Sequence, residues 1–336
     1  MRRAFTADVS TDSSNSRDWL SPTRVWRLTQ CPASVGPVVS TSVAALKDSP
    51  NAGIVAHRAV QLWIKGDGYR DADPRSRLAD AISAALAEFG GESPVGWPTT
   101  RARLLSRSLE IAELLVTGEH VESEQVLLDP VRTLRGTPDI VVLNTGDAAV
   151  IDLKTQTFKE ESLSPSIVFQ LTIYAYLVEL AYGVFPNQVE VFSLNRGRMP
   201  IVVTPATVAN ALATVEQAGK ADKSIANPSP ETCRYCRRRI DCQPQWDAAP
   251  LWPSRDCVEG AIERIERAAN GAAAILVRSP GSLQWVGGIP GDLVSASVGA
   301  RIRLVRLYRS DLAGDSGGFK WSPQSALAVN PATMPA

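Results

Sequence analysis

The stretch GTPDIVVLNTGDAAVIDLKT, residues 136–155, contains two apolar segments typical of the strands of a hairpin, and each carries an aspartate. An antiparallel pairing that places Val141 opposite Val150 also places Asp139 opposite Asp152. Directly opposed Cβ atoms lie roughly 5 Å apart, and like charges at that separation destabilise a sheet unless something neutralises them. The pattern therefore predicts a centre of positive charge at this end of the hairpin.

A divalent cation and a lysine are the candidates for that charge. Oxygen ligands from aspartates, completed by water, suit Mg²⁺ or Mn²⁺. Because side chains alternate along a strand, Lys154 is expected on the same face as Asp152, where its ammonium group can orient or help deprotonate a metal-bound water. These groups together are suited to phosphodiester hydrolysis. The alternative from the residues alone is that Asp139 ends a turn while Asp152 and Lys154 form an ordinary ion pair.

Three of the five cysteines stand together in CRYCRRRIDC, which has the spacing C-x2-C-x5-C. They are Cys233, Cys236 and Cys242, and Cys31 lies far upstream. Five cysteines are too few for a disulfide scaffold in a chain of 336 residues, so a metal centre is the more natural use of the cluster. Four thiolates bind a structural zinc ion or an iron–sulfur cluster, and ligand chemistry alone does not choose between them.

The elements that must position these groups follow an α/β pattern. Amphipathic helices are predicted in SPTRVWRLTQC, IVAHRAVQLWIKG, RSRLADAISAALAEF and RARLLSRSLEIAELLV. Strands follow in HVESEQVLL, DIVVL and AAVIDLK, then a helix in SIVFQLTIYAYLVELAYG, a hairpin in QVEVFSLNRGRMPIVVT and a helix in PATVANALATVEQAG. Beyond the cysteines, AAILVRSP, LQWVGGIP and GARIRLVRLYR predict a small β-rich C-terminal unit.

The expected organisation is a disordered tail at 1–17, an α/β domain at 18–247, the β-rich unit at 248–318 and a flexible tail at 319–336. With 44% hydrophobic residues the chain can bury a sizeable core. Lysine plus arginine balances aspartate plus glutamate at 35 each, so nucleic-acid binding must depend on local patches. No apolar segment approaches the roughly 20 residues of a membrane span, and the first residues lack the pattern of a signal peptide, so the expected location is the cytoplasm.

Taken together and in order, these motifs resemble the PD-(D/E)xK nucleases in their RecB-like form. Asp139 after Pro138 is similar to the motif G-x-PD, and IDLKT is similar to D-x-K-T. His57 in GIVAHRAVQLW resembles the helical motif G-x-x-x-H, although a lone histidine on an apolar helix is often a packing residue. Gln170 and Tyr174 in QLTIYAY resemble the Q-x-x-x-Y helix, although the same spacing also fits a surface glutamine beside a core tyrosine.

The resemblance implies a restriction-endonuclease-like core, with a mixed central sheet flanked by helices. It also implies residue roles. Asp139 and Asp152 hold Mg²⁺ or Mn²⁺ with the Leu153 carbonyl, and His57 completes the site. Lys154 positions the attacking water and stabilises charge at the phosphate. The remaining pair, Gln170 and Tyr174, supports the site or the DNA backbone.

The cysteines resemble the iron–sulfur site of RecB-like nucleases, including the CRISPR-associated exonucleases and the AddB nuclease domain. Cys31 in LTQCPAS fits the N-terminal CP segment of that group, whereas Cys257 follows the cluster where the pattern has no ligand. The resemblance implies that Cys31, Cys233, Cys236 and Cys242 bind a [4Fe–4S] cluster that clasps the two ends of the domain. Structural Zn²⁺ is the alternative.

The implied function is a metal-dependent DNA nuclease, expected to be an exonuclease acting on single strands or duplex ends in repair, recombination or phage- or CRISPR-type processing. A non-catalytic DNA-binding or scaffold module is the main alternative, and a zinc-ribbon regulatory protein is a third. No helicase motif G-x4-G-K-[ST] occurs, so a helicase partner is expected on a separate chain. The chain departs from compact CRISPR-associated members in its long helical insert between His57 and Asp139 and in its C-terminal extension.

Overall fold

The computed structural model describes residues 18–36, 51–158, 162–310 and 318–330. The predicted tail at 1–17 lies outside this part of the chain. The helices are α1 (Pro22–Gln30), α2 (Ala52–Lys65), α3 (Pro74–Glu88), α4 (Trp97–Ser106), α5 (Ser108–Val116), α6 (Pro165–Tyr182), α7 (Pro205–Gly219), α8 (Pro230–Arg234) and α9 (Gln243–Ala248). No helix in these ranges is both long and apolar enough to cross a lipid bilayer.

Five strands form the central sheet, in the order β1-β4-β5-β6-β7. They are β1 (His120–Ser123), β4 (Ile140–Asn144), β5 (Asp147–Lys154), β6 (Gln188–Ser193) and β7 (Gly197–Ile201), and a separate two-stranded ribbon consists of β2 (Leu127–Asp129) and β3 (Leu134–Gly136). β5 and β6 run parallel, and the other neighbours in the central sheet run antiparallel. The predicted α/β fold with a mixed sheet between helices is confirmed.

The central hairpin has the predicted register. Val141 pairs with Val150, and Ile140 pairs with Ile151 at the open end of the hairpin. The next step along both strands brings Asp139 beside Asp152. The loop is at the predicted place, between β4 and β5, so the alternation of apolar residues was sufficient to define which side chains share a face.

Helices cover both faces of this sheet because both faces are apolar. Ile140 and Ile151 pack in a core with α2, α3, α4 and α5. Val141 and Val150, one residue along, pack in a second core with α1, α6 and α7. Strands buried on both faces read as continuous apolar segments, which is the pattern of DIVVL and AAVID.

Two predicted elements are broken in the structure. The helix expected over RARLLSRSLEIAELLV is two helices, α4 and α5, that meet at Arg107, where the Ser108 hydroxyl donates to the Leu105 carbonyl. Serine hydroxyls compete in this way for helical carbonyls. The strand expected over HVESEQVLL is also two, β1 and β2, because Glu124 has a positive φ of 54° that ends the extended chain.

A second sheet of seven strands follows the cysteine cluster, in the order β12-β13-β10-β9-β8-β11-β14. The strands are β8 (Cys257–Arg267), β9 (Ala272–Ser279), β10 (Ser282–Pro290), β11 (Arg301–Val305), β12 (Tyr308–Ser310), β13 (Gly318–Lys320) and β14 (Ala326–Val329). The flexible tail expected at 319–336 is wrong for its first part, because β14 pairs with β11 and buries Leu327 and Ala328. The isolated segment ALAV was too short to reveal a strand whose partner lies more than twenty residues away.

The two sheets are joined at the end of the α/β region. Ile240 and Trp246 from this end pack with Val305 and Ala328 from the second sheet. Arg303 is fully buried there, and its guanidinium donates to the Ile240 carbonyl at 3.2 Å and to Gln243 Oε1 at 2.6 Å. The C-terminal sheet is therefore packed against the segment that carries the cysteines.

Gly260 on β8 is expected to tolerate no side chain. A Cβ there would lie 2.1 Å from the Arg278 carbonyl oxygen on β9, so Gly260→Ala must separate the two strands. We expect Gly260→Ala to lower the free energy of unfolding by about 1–3 kcal/mol, the usual range for overpacking. The matched control is Gly287→Ala on β10, where the added methyl group meets no atom within 4 Å. Chemical denaturation measures both, and equal effects would contradict the packing of β8 against β9.

Candidate active site

Three neighbouring strand ends each place a carboxylate at one edge of the central sheet. Asp139 immediately precedes β4, and its carbonyl accepts from the Glu124 amide at 3.0 Å, which continues the pairing with β1. On the other side lies Asp152 of β5. Asp139 Oδ2 accepts from the Leu153 amide at 2.7 Å, a bond that fixes the carboxylate against β5. The acidic edge is thus built into the strand pairing itself.

His57 joins this edge from helix α2. Its Nδ1 lies 3.1 Å from Asp139 Oδ1 and 3.7 Å from Glu124 Oε1. One turn earlier, Gly53 approaches Thr155, where a Cβ would lie 3.0 Å from the threonine hydroxyl oxygen. The glycine of the motif G-x-x-x-H therefore has a physical reason, because it lets the start of α2 lie against the segment after β5 and brings His57 to the aspartates.

Glu124 is the site residue that the sequence analysis missed. Its carboxylate, His57 and Asp139 offer ligand atoms that all lie within 4.8 Å of one another. The left-handed backbone at Glu124 is unfavourable for a residue with a side chain, and such strain commonly marks a functional position. The available signal was an acidic residue at the end of the strand before G-x-PD, but its closeness to Asp139 depends on the pairing of β1 with β4.

Lys154, Gln170 and Tyr174 surround the second aspartate. Lys154 Nζ lies 2.6 Å from Asp152 Oδ2, which places both side chains on one face as predicted. Gln170 on α6 donates to Asp152 Oδ1 at 3.5 Å and to the Tyr174 hydroxyl at 2.9 Å. The structure thus brings together Asp139, Asp152, Lys154, Gln170, Tyr174 and His57, and Leu153 on β5 donates its amide to Asp139. What each residue does remains a prediction.

Gly136 explains how α6 comes so close to the hairpin. A Cβ at this position would lie 2.5 Å from the Leu177 side chain and 3.0 Å from the Tyr174 ring. Without a side chain, Gly136 lets α6 pack directly on the chain that leads to Asp139. The glycine of G-x-PD therefore sets the approach of the helix that carries Gln170 and Tyr174.

The electrostatics of the site favour bound positive charge. Burial and the nearby Asp139 raise the pKa of Asp152, and the attraction of Lys154 offsets only part of this. Burial lowers the pKa of His57, but hydrogen bonds and charge from Asp139 and Glu124 outweigh it and raise the pKa to about 10. Burial also raises the pKa of Tyr174, so its hydroxyl stays protonated. Without a metal, the site therefore holds a proton on His57.

The donor set fits a hard divalent cation. Carboxylate oxygens and an imidazole nitrogen are ligands for Mg²⁺ or Mn²⁺, and mutual repulsion of the carboxylates supplies a reason to bind one. A shallow cavity of about 520 Å³ opens beside His57 and Glu124, so an ion can reach them from solvent. An ion at this position would replace the proton on His57, because both compete for the same imidazole nitrogen.

The four predicted cysteine ligands gather at a separate place. Cys31 follows α1, Cys233 lies on α8, and Cys242 precedes α9. The thiols of Cys31, Cys233, Cys236 and Cys242 are close enough to influence one another electrostatically. Burial raises the pKa of Cys233 to about 12 and raises those of Cys236 and Cys242, so these thiols are protonated without a metal.

Two of the nearby arginines are structural. Arg239 is buried, and its guanidinium pairs with Asp256, including one hydrogen bond of 2.8 Å. Arg303 is buried in the contact between the sheets. Cys257 lies beside Gln245 and Arg239 rather than with the other cysteines. A basic side chain in the sequence does not reveal whether its guanidinium reaches solvent. Here Asp256 binds Arg239 and the Ile240 carbonyl binds Arg303 inside the fold.

The family is identified by a match over most of this architecture. A family model of the PD-(D/E)XK nuclease superfamily matches residues 19–243, which include the acidic edge, His57, α6 and the cysteines. The chain belongs to the PD-(D/E)XK nuclease superfamily. Nucleases of this superfamily use divalent metals, and the carboxylates and histidine that could hold one are present here. Membership suggests a metal-dependent nuclease.

Solved structures add little to this assignment of a PD-(D/E)XK nuclease. The crystal structure of SSO0001 is 14% identical and aligns over 68% of this chain and 88% of its own, with a TM-score of 0.29. The tetrameric p202 HIN2 is 18% identical over 22% of this chain, with a TM-score of 0.20, and this chain spans 40% of its length. A murine DNA binding protein bound with ds DNA is 12% identical over 63% and 95% of the two chains, with a TM-score of 0.20. No curated protein matches this nuclease.

The proton on His57 gives a pH-dependent prediction for the metal-free protein. Its folded pKa of about 10 lies above the ordinary value of 6.5, so its contribution to stability is complete below about pH 6.5 and is lost as the pH rises through about 10. In EDTA, the gap in the free energy of unfolding between wild type and His57→Gln should shrink by more than about 1.4 kcal/mol over this range, the equivalent of one pKa unit.

Urea denaturation at the two ends of the range measures this gap. The matched control is His120→Gln, because His120 is the other histidine of the chain and its side chain is 63% exposed. A gap between wild type and His57→Gln that does not change with pH would contradict the proposed ion pairing with Asp139 and Glu124.

Proposed function

We propose that this protein is a metal-dependent deoxyribonuclease of the RecB-like group, acting on single strands or duplex ends of DNA. The observation that carries the proposal is the acidic edge, where Asp139 lies between Glu124 and Asp152 with His57 and Lys154 beside it. A protein that only bound DNA would gain nothing from three carboxylates near phosphates, because each of them repels the backbone. The arrangement therefore favours catalysis over the alternative of a binding or scaffold module.

In this proposal the site residues have different roles. Asp139, Asp152 and His57 hold Mg²⁺ or Mn²⁺ with the Leu153 carbonyl, and Glu124 is an added ligand. When bound, the ion polarises the phosphate and acidifies a water. Lys154 orients the attacking water and stabilises charge on the phosphate, since its ammonium group already lies on the face of Asp152. Gln170 holds Asp152 in place by a hydrogen bond, Tyr174 fixes Gln170 by accepting from its amide, and both support the DNA backbone in this proposal.

We infer further that Cys31, Cys233, Cys236 and Cys242 bind a [4Fe–4S] cluster. The x5 gap between Cys236 and Cys242 and the distant fourth cysteine, Cys31, support iron over zinc, because both resemble the ligand spacing of the RecB-like iron–sulfur nucleases. The cluster would join α1 to α8 and α9, the two ends of a nuclease domain at 18–247, with the C-terminal unit packed against it.

Substitution of the acidic edge tests the proposed chemistry. Asp139→Asn and Asp152→Asn should abolish Mn²⁺-dependent degradation of end-labelled DNA, because each removes a charged ligand. Lys154→Ala should slow it by about 10²- to 10⁴-fold, the usual range for a group that assists proton transfer. Glu124→Gln should raise the Mn²⁺ concentration needed for half-maximal activity while leaving measurable activity at saturating metal. His120→Ala is the control and should keep wild-type activity, because His120 lies outside the site.

The activity assay separates the two proposals for this site. Degradation that requires Mn²⁺ and survives in Asp139→Asn would refute the assigned ligands. Binding of DNA without cleavage under any metal would favour the scaffold module instead. Products from substrates labelled at either end distinguish an exonuclease from an endonuclease.

Anaerobic purification tests the cysteine assignment. The wild-type protein should be brown and contain iron with acid-labile sulfide, whereas Cys233→Ser should lose the colour and unfold at a lower temperature. Cys257→Ser is the matched control and should stay brown, because Cys257 lies apart from the other four. A colourless wild-type protein that contains stoichiometric zinc would refute the iron assignment.

A further inference from the structure

A cleft between the cysteine segment and the C-terminal sheet is the strongest site outside the acidic edge. Its volume is about 380 Å³, and its walls come from α8 and the residue after it on one side and from the chain around β12 on the other. The segment at 253–256, which connects the two parts of the protein, forms its floor. The cleft therefore exists only because the C-terminal sheet is packed against the cysteine segment.

Arginines dominate the charge of this cleft. Arg234, Arg255, Arg306 and Arg309 line it. Within the described ranges none of the four forms an ion pair. Two acidic residues share the lining, but Asp256 is already paired with the buried Arg239, which leaves Glu231. The cleft thus has a positive surplus that suits an anionic ligand.

Arg306 is held in the cleft by the fold. Its backbone has a positive φ of 59°, an unfavourable conformation for arginine. Its guanidinium donates to the Gln324 carbonyl at 3.3 Å and to the Cys236 carbonyl at 3.4 Å, while its Nε is buried with no partner in the described part of the chain. A charged group that contacts only carbonyls retains its attraction for an incoming anion.

The same cleft holds two exposed aromatic rings. Tyr235 is 60% exposed and Tyr308 is 59% exposed, and both line the cleft. Among the described residues, no other aromatic side chain is exposed to a comparable degree. The Arg234 guanidinium lies over the Tyr235 ring, 5.4 Å from its centroid. Exposed rings beside unpaired arginines are how proteins bind single strands, with rings stacking on bases and arginines contacting phosphates.

We infer that this cleft binds single-stranded DNA, with Tyr235 and Tyr308 stacking on bases and Arg234, Arg306 and Arg309 contacting phosphates. A duplex does not fit the chemistry, because its bases are already stacked on one another and leave no free face for a tyrosine. The inference rests on the proposed function for the identity of the ligand. It goes beyond that function because it assigns a strand-binding site apart from the acidic edge and gives the C-terminal sheet a role.

Fluorescence polarisation of a labelled oligothymidylate of roughly 15 nucleotides tests this in EDTA, where no cleavage occurs. Tyr235→Ala and Tyr308→Ala should each weaken binding by roughly 5- to 150-fold, the range for loss of one stacked base. The conservative variants Tyr235→Phe and Tyr308→Phe should bind as wild type, because stacking does not need the hydroxyl. Arg309→Ala should lower the slope of log affinity against log salt by about 0.7.

Two control variants make similar substitutions outside the cleft. Arg264→Ala removes an arginine whose side chain is 66% exposed on β8, and Leu283→Ala removes an exposed apolar side chain on β10. Both should bind as wild type. Wild-type affinity in the tyrosine and arginine variants of the cleft would overturn the inference, and so would equal affinity of the wild type for a duplex of the same length.

Failure of this inference is distinguishable from failure of the proposed function. If the cleft variants bind normally while wild type degrades DNA with Mn²⁺, the cleft is wrong and the nuclease stands. If wild type binds the oligonucleotide through the cleft but never cleaves it, the strand-binding site stands and the catalytic proposal fails.

Discussion

The structure depends on one electrostatic constraint, the meeting of three carboxylates on three adjacent strand ends. The pairing of β4 with β1 and β5 places Asp139 between Glu124 and Asp152, and no rotation of one side chain can relieve all the repulsion. The site therefore needs positive charge beside the carboxylates. Helix α2 brings His57, and β5 itself provides Lys154. The carboxylates raise the pKa of His57, while burial and the nearby Asp139 raise the pKa of Asp152.

Close packing around the site brings the helices with site residues up to the carboxylates. Gly53 lets α2 approach the end of β5, and Gly136 lets α6 lie on the chain before Asp139. A side chain at either glycine would press on neighbouring side chains, those of Asn51 and Thr155 at Gly53 and those of Leu177 and Tyr174 at Gly136. The family motifs thus combine groups that do chemistry with glycines that permit close contact. Membership of the PD-(D/E)XK nuclease superfamily rests on the match to residues 19–243, which include both glycines.

The C-terminal sheet connects the cysteine segment to a second surface. Buried Arg239 and Arg303 join the two parts of the protein. Their burial leaves a different set of arginines facing solvent beside Tyr235 and Tyr308. The proposed metal cluster, the contact between the sheets and the cleft are therefore adjacent, so loss of the cysteine ligands is expected to disturb the cleft as well. The acidic edge and the basic cleft give a neutral chain two regions of opposite charge.

The sequence by itself determined the hairpin, its register and the shared face of Asp152 and Lys154, because strand periodicity and one short loop are local properties. It also determined α6 from Ser164-Pro165 to Gly183, since helix caps are local signals. Only the tertiary structure decided that Glu124 joins Asp139, that β14 completes the second sheet, and which arginines are buried. These facts depend on pairings between segments far apart in the chain, and no local pattern of residue types contains them.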